Sequence, residues 1–329
     1  MQYIFFGTSE FAATILEKLL DTNMPPATVV TQPDRPAGRG KKLQESPVKK
    51  IAQNGEIPLL QPERIMNDEL GIKNLRPDLC VVAAYGGIIP KAILDIPKHG
   101  FLNVHPSLLP LYRGPSPIQT AILNGETKTG VSLILLDEAI DHGPILAQET
   151  APIGYRDTSE TLSHKLALQS ARMLQKAIPE WLNSTLSPTP QDHTKATFTK
   201  MIAKEDGRID WKKSAEEIER HVRAMTPWPG SYTFWKENKN EVRLHLRRVS
   251  VLKESPRPHD QSFALARGML RSDNNYLLGE ALDTSDDKLV VACGRGILII
   301  HEIQPEGKYV MSSQAFLNGH RSIIGSILA

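Results

Sequence analysis

Residues 79–84, Leu-Cys-Val-Val-Ala-Ala, form an almost unbroken apolar run. A strand with one wet face would alternate apolar and polar side chains, so this run predicts a strand covered on both sides, at the centre of a sheet with helices packed on each face. The neighbouring segments fit that demand. Residues 3–6 predict a strand, residues 9 or 10 to 20 a helix, and residues 27–31 a second strand. Ser46-Pro47 has the chemistry of a helix start, a capping hydroxyl followed by a residue with no N–H to satisfy. Further apolar strands are expected at 101–104 and 131–136, with a helix at 118–123 between them. Strands separated by helices point to an α/β fold with a doubly wound, mostly parallel sheet. Such sheets gather ligands beyond the carboxyl ends of their strands.

A helix expected over 159–181 closes this first domain, and Leu186-Ser187-Pro188-Thr189-Pro190-Gln191-Asp192 breaks the pattern as a linker would. Beyond a short amphipathic helix at 215–225 come short strands at 231–235, 242–249, 289–292 and 297–303, the spacing of a small barrel or sandwich. The expected domains are 1–184, a linker at 185–204, and 205–329.

Composition excludes several classes. Hydrophobic residues at 40% and charged ones at 23% are ordinary for a folded globular chain and exclude disorder. Cys80 and Cys293 lie in separate domains inside apolar runs, which leaves neither a disulfide framework nor a Cys-rich metal site. The histidines outside residues 103–110, among them His99, His142, His164 and His193, lack paired ligand spacing, so no metal is expected. No apolar stretch reaches about 18 residues and the opening segment lacks a basic flank, so the expectation is a cytoplasmic protein with no membrane contact. Gly7-Thr8-Ser9-Glu10 lacks the later glycines of a dinucleotide fingerprint, and Gly38-Arg39-Gly40-Lys41-Lys42 lacks phosphate-loop spacing.

The chemistry-bearing string is Asn103-Val104-His105-Pro106-Ser107-Leu108-Leu109-Pro110. In extended backbone, Asn103 and His105 point the same way. An amide donor beside an imidazole suits a carbonyl whose oxygen becomes negative under attack. Asp141 is the candidate carboxylate to orient the ring, because the run 131–136 ends just before it and would deliver it to the same sheet edge. Taken alone, Asn103 and His105 are better explained as polar groups satisfying a turn, and Asp141 as an ordinary turn aspartate; the motif around them reverses that preference.

Between Arg35 and Lys50 six basic residues (Arg35, Arg39, Lys41, Lys42, Lys49 and Lys50) stand against Glu45 alone, a local excess of five. With Pro36, Gly38 and Gly40 among them, they form a basic finger able to overhang a site at the strand ends and contact RNA. Downstream, Arg243, His245 and Arg247 alternate with Leu244 and Leu246. That pattern fits a strand face tracking an RNA backbone and equally any half-exposed strand.

Asn103 to Pro110, continued through Leu111-Tyr112-Arg113-Gly114-Pro115-Ser116-Pro117-Ile118-Gln119, resembles the folate-dependent formyltransferases. The stretch from Thr31 to Leu43 is similar to the basic loop of the branch that acts on charged initiator tRNA. Arg208-Ile209-Asp210-Trp211, Pro227-Trp228-Pro229, Gln304-Pro305-Glu306-Gly307-Lys308 and Phe316-Leu317-Asn318-Gly319 extend the resemblance to the last segment of the chain. Ala139, His142 and Pro106 depart from the pattern, standing where Gly, Thr and, in some relatives, Gly are usual. The resemblance implies that Asn103, His105 and Asp141 are catalytic. It implies that Ser107, Leu108, Leu109 and Pro110, with Tyr85, Gly86 and Gly87, border a folate pocket. It further implies 10-formyltetrahydrofolate as formyl donor and the amino group of methionine on initiator tRNA as acceptor, in an enzyme of translation initiation. Arg35, Arg39, Lys41, Lys42, Arg243 and Arg247 are the expected tRNA contacts. A monomer with an OB-like second domain completes the expectation.

Overall fold

In the computed structural model, which describes residues 2–37, 42–237, 240–252, 276–282 and 288–329, the apolar runs of the first half become strands of one seven-stranded sheet. β1 (Tyr3–Gly7) is wholly buried and leads into α1 (Glu10–Asp21), which hides Phe11, Ile15, Leu16 and Leu19 before β2 (Thr28–Val30). β3 (Arg35–Ala37) and β4 (Lys42–Gln44) form a separate antiparallel pair. α2 (Pro47–Asn54) starts as its sequence demands, with the Lys49 N–H donating to Ser46 Oγ at 3.0 Å and Pro47 in the first turn. Then follow β5 (Leu59–Leu60), α3 (Glu69–Asn74), β6 (Leu79–Ala83), α4 (Lys91–Leu94), β7 (Phe101–His105), α5 (Pro117–Leu123), β8 (Lys128–Leu135), β9 (Ile145–Pro152) and α6 (Ser159–Leu182).

The strand order is β5-β2-β1-β6-β7-β8-β9. Pairs from β5 across to β7 are parallel, so the expected mostly parallel sheet is present, with β6 at its centre and all five of its residues buried. Ile4, Phe6, Val30, Cys80, Val82 and Phe101 share one apolar cluster. Burial raises the Cys80 thiol well above its usual pKa and pushes Cys293 up to about 12.

β8 and β9 depart from the parallel pattern. β8 runs antiparallel to β7, pairing Leu102 with Leu135 and His105 with Ser132. β8 therefore ends beside the start of β7. Asp141 does not arrive from a shared strand end, as the sequence led us to expect; residues 136–144 fold back along β7 to bring it there.

The chain divides into two compact units: Met1–Ile118, Thr127–Gly154 and Thr161–Met201 in one, and Gln119–Glu126, Tyr155–Glu160 and Ile202–Ala329 in the other. In the second, α7 (Ala215–Ala224) opens on a capping box: Glu217 N–H donates to Ser214 Oγ at 3.2 Å, and the Glu217 carboxylate accepts from Ser214 N–H at 2.9 Å. β10 (Ser231–Glu237), β11 (Asn240–Val251), β12 (Ala281–Leu282), β13 (Leu289–Ala292), β14 (Ile297–Pro305) and β15 (Met311–Ser312) precede α8 (Ser313–Gly319). Their antiparallel sheet runs β10-β11-β14-β13-β12, with β15 on β14. Residues 326–329 carry its curl around: Ala281 N–H donates to Ser326 O at 2.9 Å, while Phe234 and Ala329 exchange two bonds of 2.9 Å. The sheet is the OB-like element expected, wrapped on Trp211, Trp235, Leu298, Ile300 and Phe316.

This unit also holds neutral histidines. His221 Nε2–H donates to the Asp206 carbonyl at 2.7 Å, and its Nδ1 accepts from Ser231 Oγ at 2.9 Å. Burial holds the ring below its ordinary pKa of 6.5, and burial followed by nearby cationic side chains does the same to His245 (Arg247, Arg243) and His301 (Arg248, Lys288). The unfolded chain takes up protons near pH 6.5 that the folded unit refuses, so this stability is complete above that pH and is lost as pH falls below it. Thermal melts should show the unfolding temperature dropping between about pH 7.5 and about pH 5.5, with a shallower slope in His221→Gln. A flat profile would contradict this.

Candidate active site

Asp141 is the hub of the first unit's polar centre. Asn103 Nδ2 donates to its Oδ1 at 3.2 Å, His105 Nδ1 lies 3.4 Å from the same oxygen, and Gly114 N–H donates to Oδ2 at 2.8 Å. Asn103 and His105 are both buried on β7, two residues apart, and meet the carboxylate from one side of the strand. His105 Nε2 lies 2.9 Å from the Tyr112 carbonyl and must carry hydrogen to bond it. In a neutral ring that leaves Nδ1 with a lone pair facing a carboxylate oxygen. A proton between ring and acid turns this contact attractive, so the arrangement suits a group that holds and passes one proton.

The loops supplying these groups are locally strained. Tyr112 has φ of 61°, Asp141 of 47° and Ala84, just past β6, of 42°. Left-handed backbone at such residues costs on the order of 1–3 kcal/mol each and persists only where surrounding bonds impose it. Here Tyr112 N–H donates to Thr197 Oγ1 at 2.8 Å, and Thr199 N–H donates to the Arg113 carbonyl at 2.7 Å.

Ser107 to Pro110 form a knot at the end of β7. Ser132 Oγ donates to the Ser107 carbonyl at 2.6 Å and accepts from Leu109 N–H at 3.1 Å and Gln148 Nε2 at 2.8 Å. Ser107 and Leu109 are buried, with Leu108 and Pro110 half-buried at its rim.

Past the neighbouring strand ends lies a cavity of about 430 Å³ lined by Thr8, Ser9, Gln32, Arg35, Ala84, Tyr85, Gly86 and Ser46, among others. Thr8 Oγ1 donates to the Tyr85 carbonyl at 2.8 Å, and the Tyr85 ring meets Phe6 edge-on at 5.5 Å. Gly86 has φ of 78°, which a side chain would resist, and a Cβ on Gly87 would lie 2.8 Å from both Gln32 Nε2 and the Tyr85 ring. Tyr85 and Gly86 thus line a cavity, whereas Ser107 to Pro110 border the polar centre instead.

Of the basic finger, Arg35 Nη2 donates to Gln32 Oε1 at 3.3 Å at the cavity mouth. Lys42 falls in β4, and Arg39 and Lys41 lie outside the described residues. Lys49 pairs with Asp34 at 2.6 Å and with Glu45 at 3.2 Å, so the finger's net charge is lower than its sequence count. Hydrogen bonds from Lys49 and then Gln61 hold the Asp34 carboxyl below its usual pKa. In the second unit, the Arg243 guanidinium lies 4.8 Å from the Tyr232 ring centroid and 5.3 Å from that of Phe234. Arg247 donates twice to Gln304 Oε1, at 3.0 and 2.6 Å. Among the described residues, no group of three or more His, Cys, Asp or Glu side chains is placed to hold a metal, and no helix is long and apolar enough to cross a membrane.

Residues 1–178 match the family model for formyl transferase, and residues 201–321 that for its C-terminal domain. The chain belongs to the formyl transferase family. A methionyl-tRNA formyltransferase of Citrifermentans bemidjiense is 38% identical over 100% of this chain and 96% of its own. One from Chloroflexus aurantiacus is 40% identical over 97% of each. These relatives group the chain with the methionyl-tRNA formyltransferases. Among solved structures, an N-formyltransferase of Helicobacter canadensis, in complex with folinic acid and dTDP-3-aminofucose, matches with a TM-score of 0.63 at 20% identity, covering 91% of this chain and 98% of its own. HypX from Aquifex aeolicus, in complex with tetrahydrofolic acid, matches with a TM-score of 0.62 at 17% identity over 97% of this chain. The present chain spans about half the length of HypX, 47% in that match. At these identities the two structures establish a common fold.

Tyr112 and Gly114 act at the Asp141 centre from inside the motif flagged by sequence, but only through backbone atoms, which no residue identity announces. Gln191, which also touches the Asp141 turn, carried no sequence signal.

Proposed function

We propose that this protein transfers the formyl group of 10-formyltetrahydrofolate to the free amino group of methionine esterified to initiator tRNA, producing N-formylmethionyl-tRNA for translation initiation. The observation that carries this reading is the convergence of Asn103 and His105 on Asp141 Oδ1, in a chain 38–40% identical to methionyl-tRNA formyltransferases over nearly its whole length. The acceptor needs little activation. An α-amino group titrates at about 7.7–8.0, and esterification of the neighbouring carboxyl lowers this further, so much of the amine is neutral near pH 7. The amine nitrogen bonds to the formyl carbon, the carbon's bond to the donor nitrogen breaks, and one proton moves from amine to donor nitrogen. Asn103 donates its second amide hydrogen to the oxygen that becomes negative, and the His105–Asp141 pair holds the travelling proton. No covalent enzyme intermediate is required.

Residues 1–184 carry the chemistry in this reading. The cavity edged by Tyr85 and Gly86, at the end of the strand paired in parallel with β7, is assigned to the folate and the acceptor end. The finger with Arg35, Arg39, Lys41 and Lys42 meets the acceptor stem. The domain at 205–329, joined through residues 185–204, meets the tRNA backbone through the Arg243 and Arg247 face, where the Arg243 guanidinium lies over the Tyr232 and Phe234 rings. The test is formyl transfer from 10-formyltetrahydrofolate to methionine-charged initiator tRNA, with uncharged tRNA, small amines and an amino-sugar nucleotide as alternatives. Product on charged tRNA alone is expected. Product on the sugar nucleotide and none on tRNA would reassign the enzyme.

A further inference from the structure

Gln191 lies in the proline-rich stretch after α6 and is buried. Its Nε2 donates to two backbone carbonyls of one turn, that of Asp141 at 2.9 Å and that of Gly143 at 2.7 Å. Its Oε1 accepts from Arg113 Nη2 at 2.7 Å, and the same Nη2 reaches His193 Nδ1 at 2.8 Å. A guanidinium cannot accept, so Arg113 fixes which end of the amide faces it. The two amide hydrogens must then point at the carbonyls. Arg113 is itself buried, on the loop whose Gly114 N–H binds the Asp141 carboxylate. Gln191 thus ties together the two loops that meet at Asp141. The turn it clasps is the one in which Asp141 adopts φ of 47°, a conformation needing outside support. The clasp spans 50 residues of sequence.

We propose that Gln191 is a positioning residue for formyl transfer, holding the Asp141 turn so that the carboxylate faces Asn103 and His105. This rests on the catalytic reading of Asp141 given above. Gln191→Met keeps the length and removes all three polar contacts. Gln191→Glu keeps the acceptor for Arg113 but sets oxygen against the two carbonyls. Each should lower kcat by about tenfold to a hundredfold, with KM for charged tRNA and for 10-formyltetrahydrofolate within about twofold of the parent, since misplacing a reacting group by about 1 Å has effects of that size. The deciding measurement is a double-mutant cycle with Asp141→Asn. If Gln191 acts through Asp141, Gln191→Met costs less than about twofold in the Asp141→Asn background. An equal loss in both backgrounds, unchanged kcat in a folded variant, or failure of both variants to fold would overturn the proposal. Full turnover in Asp141→Asn alone would instead overturn the catalytic role of Asp141, a separately readable outcome.

Discussion

Asn103→Ala and His105→Ala are each expected to lower the turnover number for formyl transfer by about a hundredfold to a thousandfold, the usual effect of deleting one oxyanion donor or one proton-transfer group. The two losses have different origins. Asn103 keeps its amide fixed on Asp141 Oδ1 through one hydrogen, at 3.2 Å, and has a second hydrogen to offer. Alanine removes both. His105 is held at two points, Tyr112 O at 2.9 Å and Asp141 Oδ1 at 3.4 Å, so the ring cannot swing and its loss removes the proton carrier. The cavity edged by Thr8 and Tyr85 shares none of these side chains, so KM for both substrates should change far less than kcat. Steady-state kinetics with charged initiator tRNA reads both quantities. Turnover within a few-fold of the parent in either variant removes that residue from the mechanism.

Gly143→Ala is the second large effect. A Cβ there would overlap the carbonyl oxygen of Leu135, a backbone atom at the end of β8 that has no rotamer with which to yield. Gly143 does not have positive φ, so crowding alone sets the outcome. Opening the turn should cost about 1–3 kcal/mol or more, as overpacking does elsewhere, and lower the melting temperature by several degrees. The same movement displaces Asp141, two residues away, and pulls the Gly143 carbonyl from Gln191. Turnover should fall by about a hundredfold. Gly319→Ala, where a Cβ meets nothing within 4 Å, is the matched control and should leave both properties unchanged. A native melting temperature with native turnover in Gly143→Ala would show that the turn tolerates displacement.

The parts of the fold legible in sequence were those specified by local chemistry. Ser46-Pro47 starts α2, the amphipathic stretch at 215–225 becomes α7, and the unbroken run at 79–84 becomes the central buried strand. The polar centre was partly legible, because the two-residue spacing of Asn103 and His105 fixes their common side. Asp141 was placed beside them by an incorrect step, since β8 is antiparallel to β7 and its end lies at the other edge. Direction of pairing is a non-local property, and an apolar run reads alike in either orientation. β9, with exposed residues 148–150, lacks the apolar signature of a buried strand and was not foreseen. Residues 326–329 escaped for a different reason: their bonds link the two edges of a sheet whose strands lie far away in sequence. Lys49 counted as free positive charge until Asp34, just outside the counted window, proved to be its partner.

Because β8 runs back along β7, neither strand brings the reacting groups together by itself. His105 gains its carboxylate only after residues 106–127 have looped out, β8 has zipped onto its neighbour and the excursion at 136–144 has closed over the pair. Loop-closure entropy must be spent before those contacts form. In a refolding chain, enzymatic competence would therefore emerge last, as a signal that long-range assembly is complete rather than that local helices have formed.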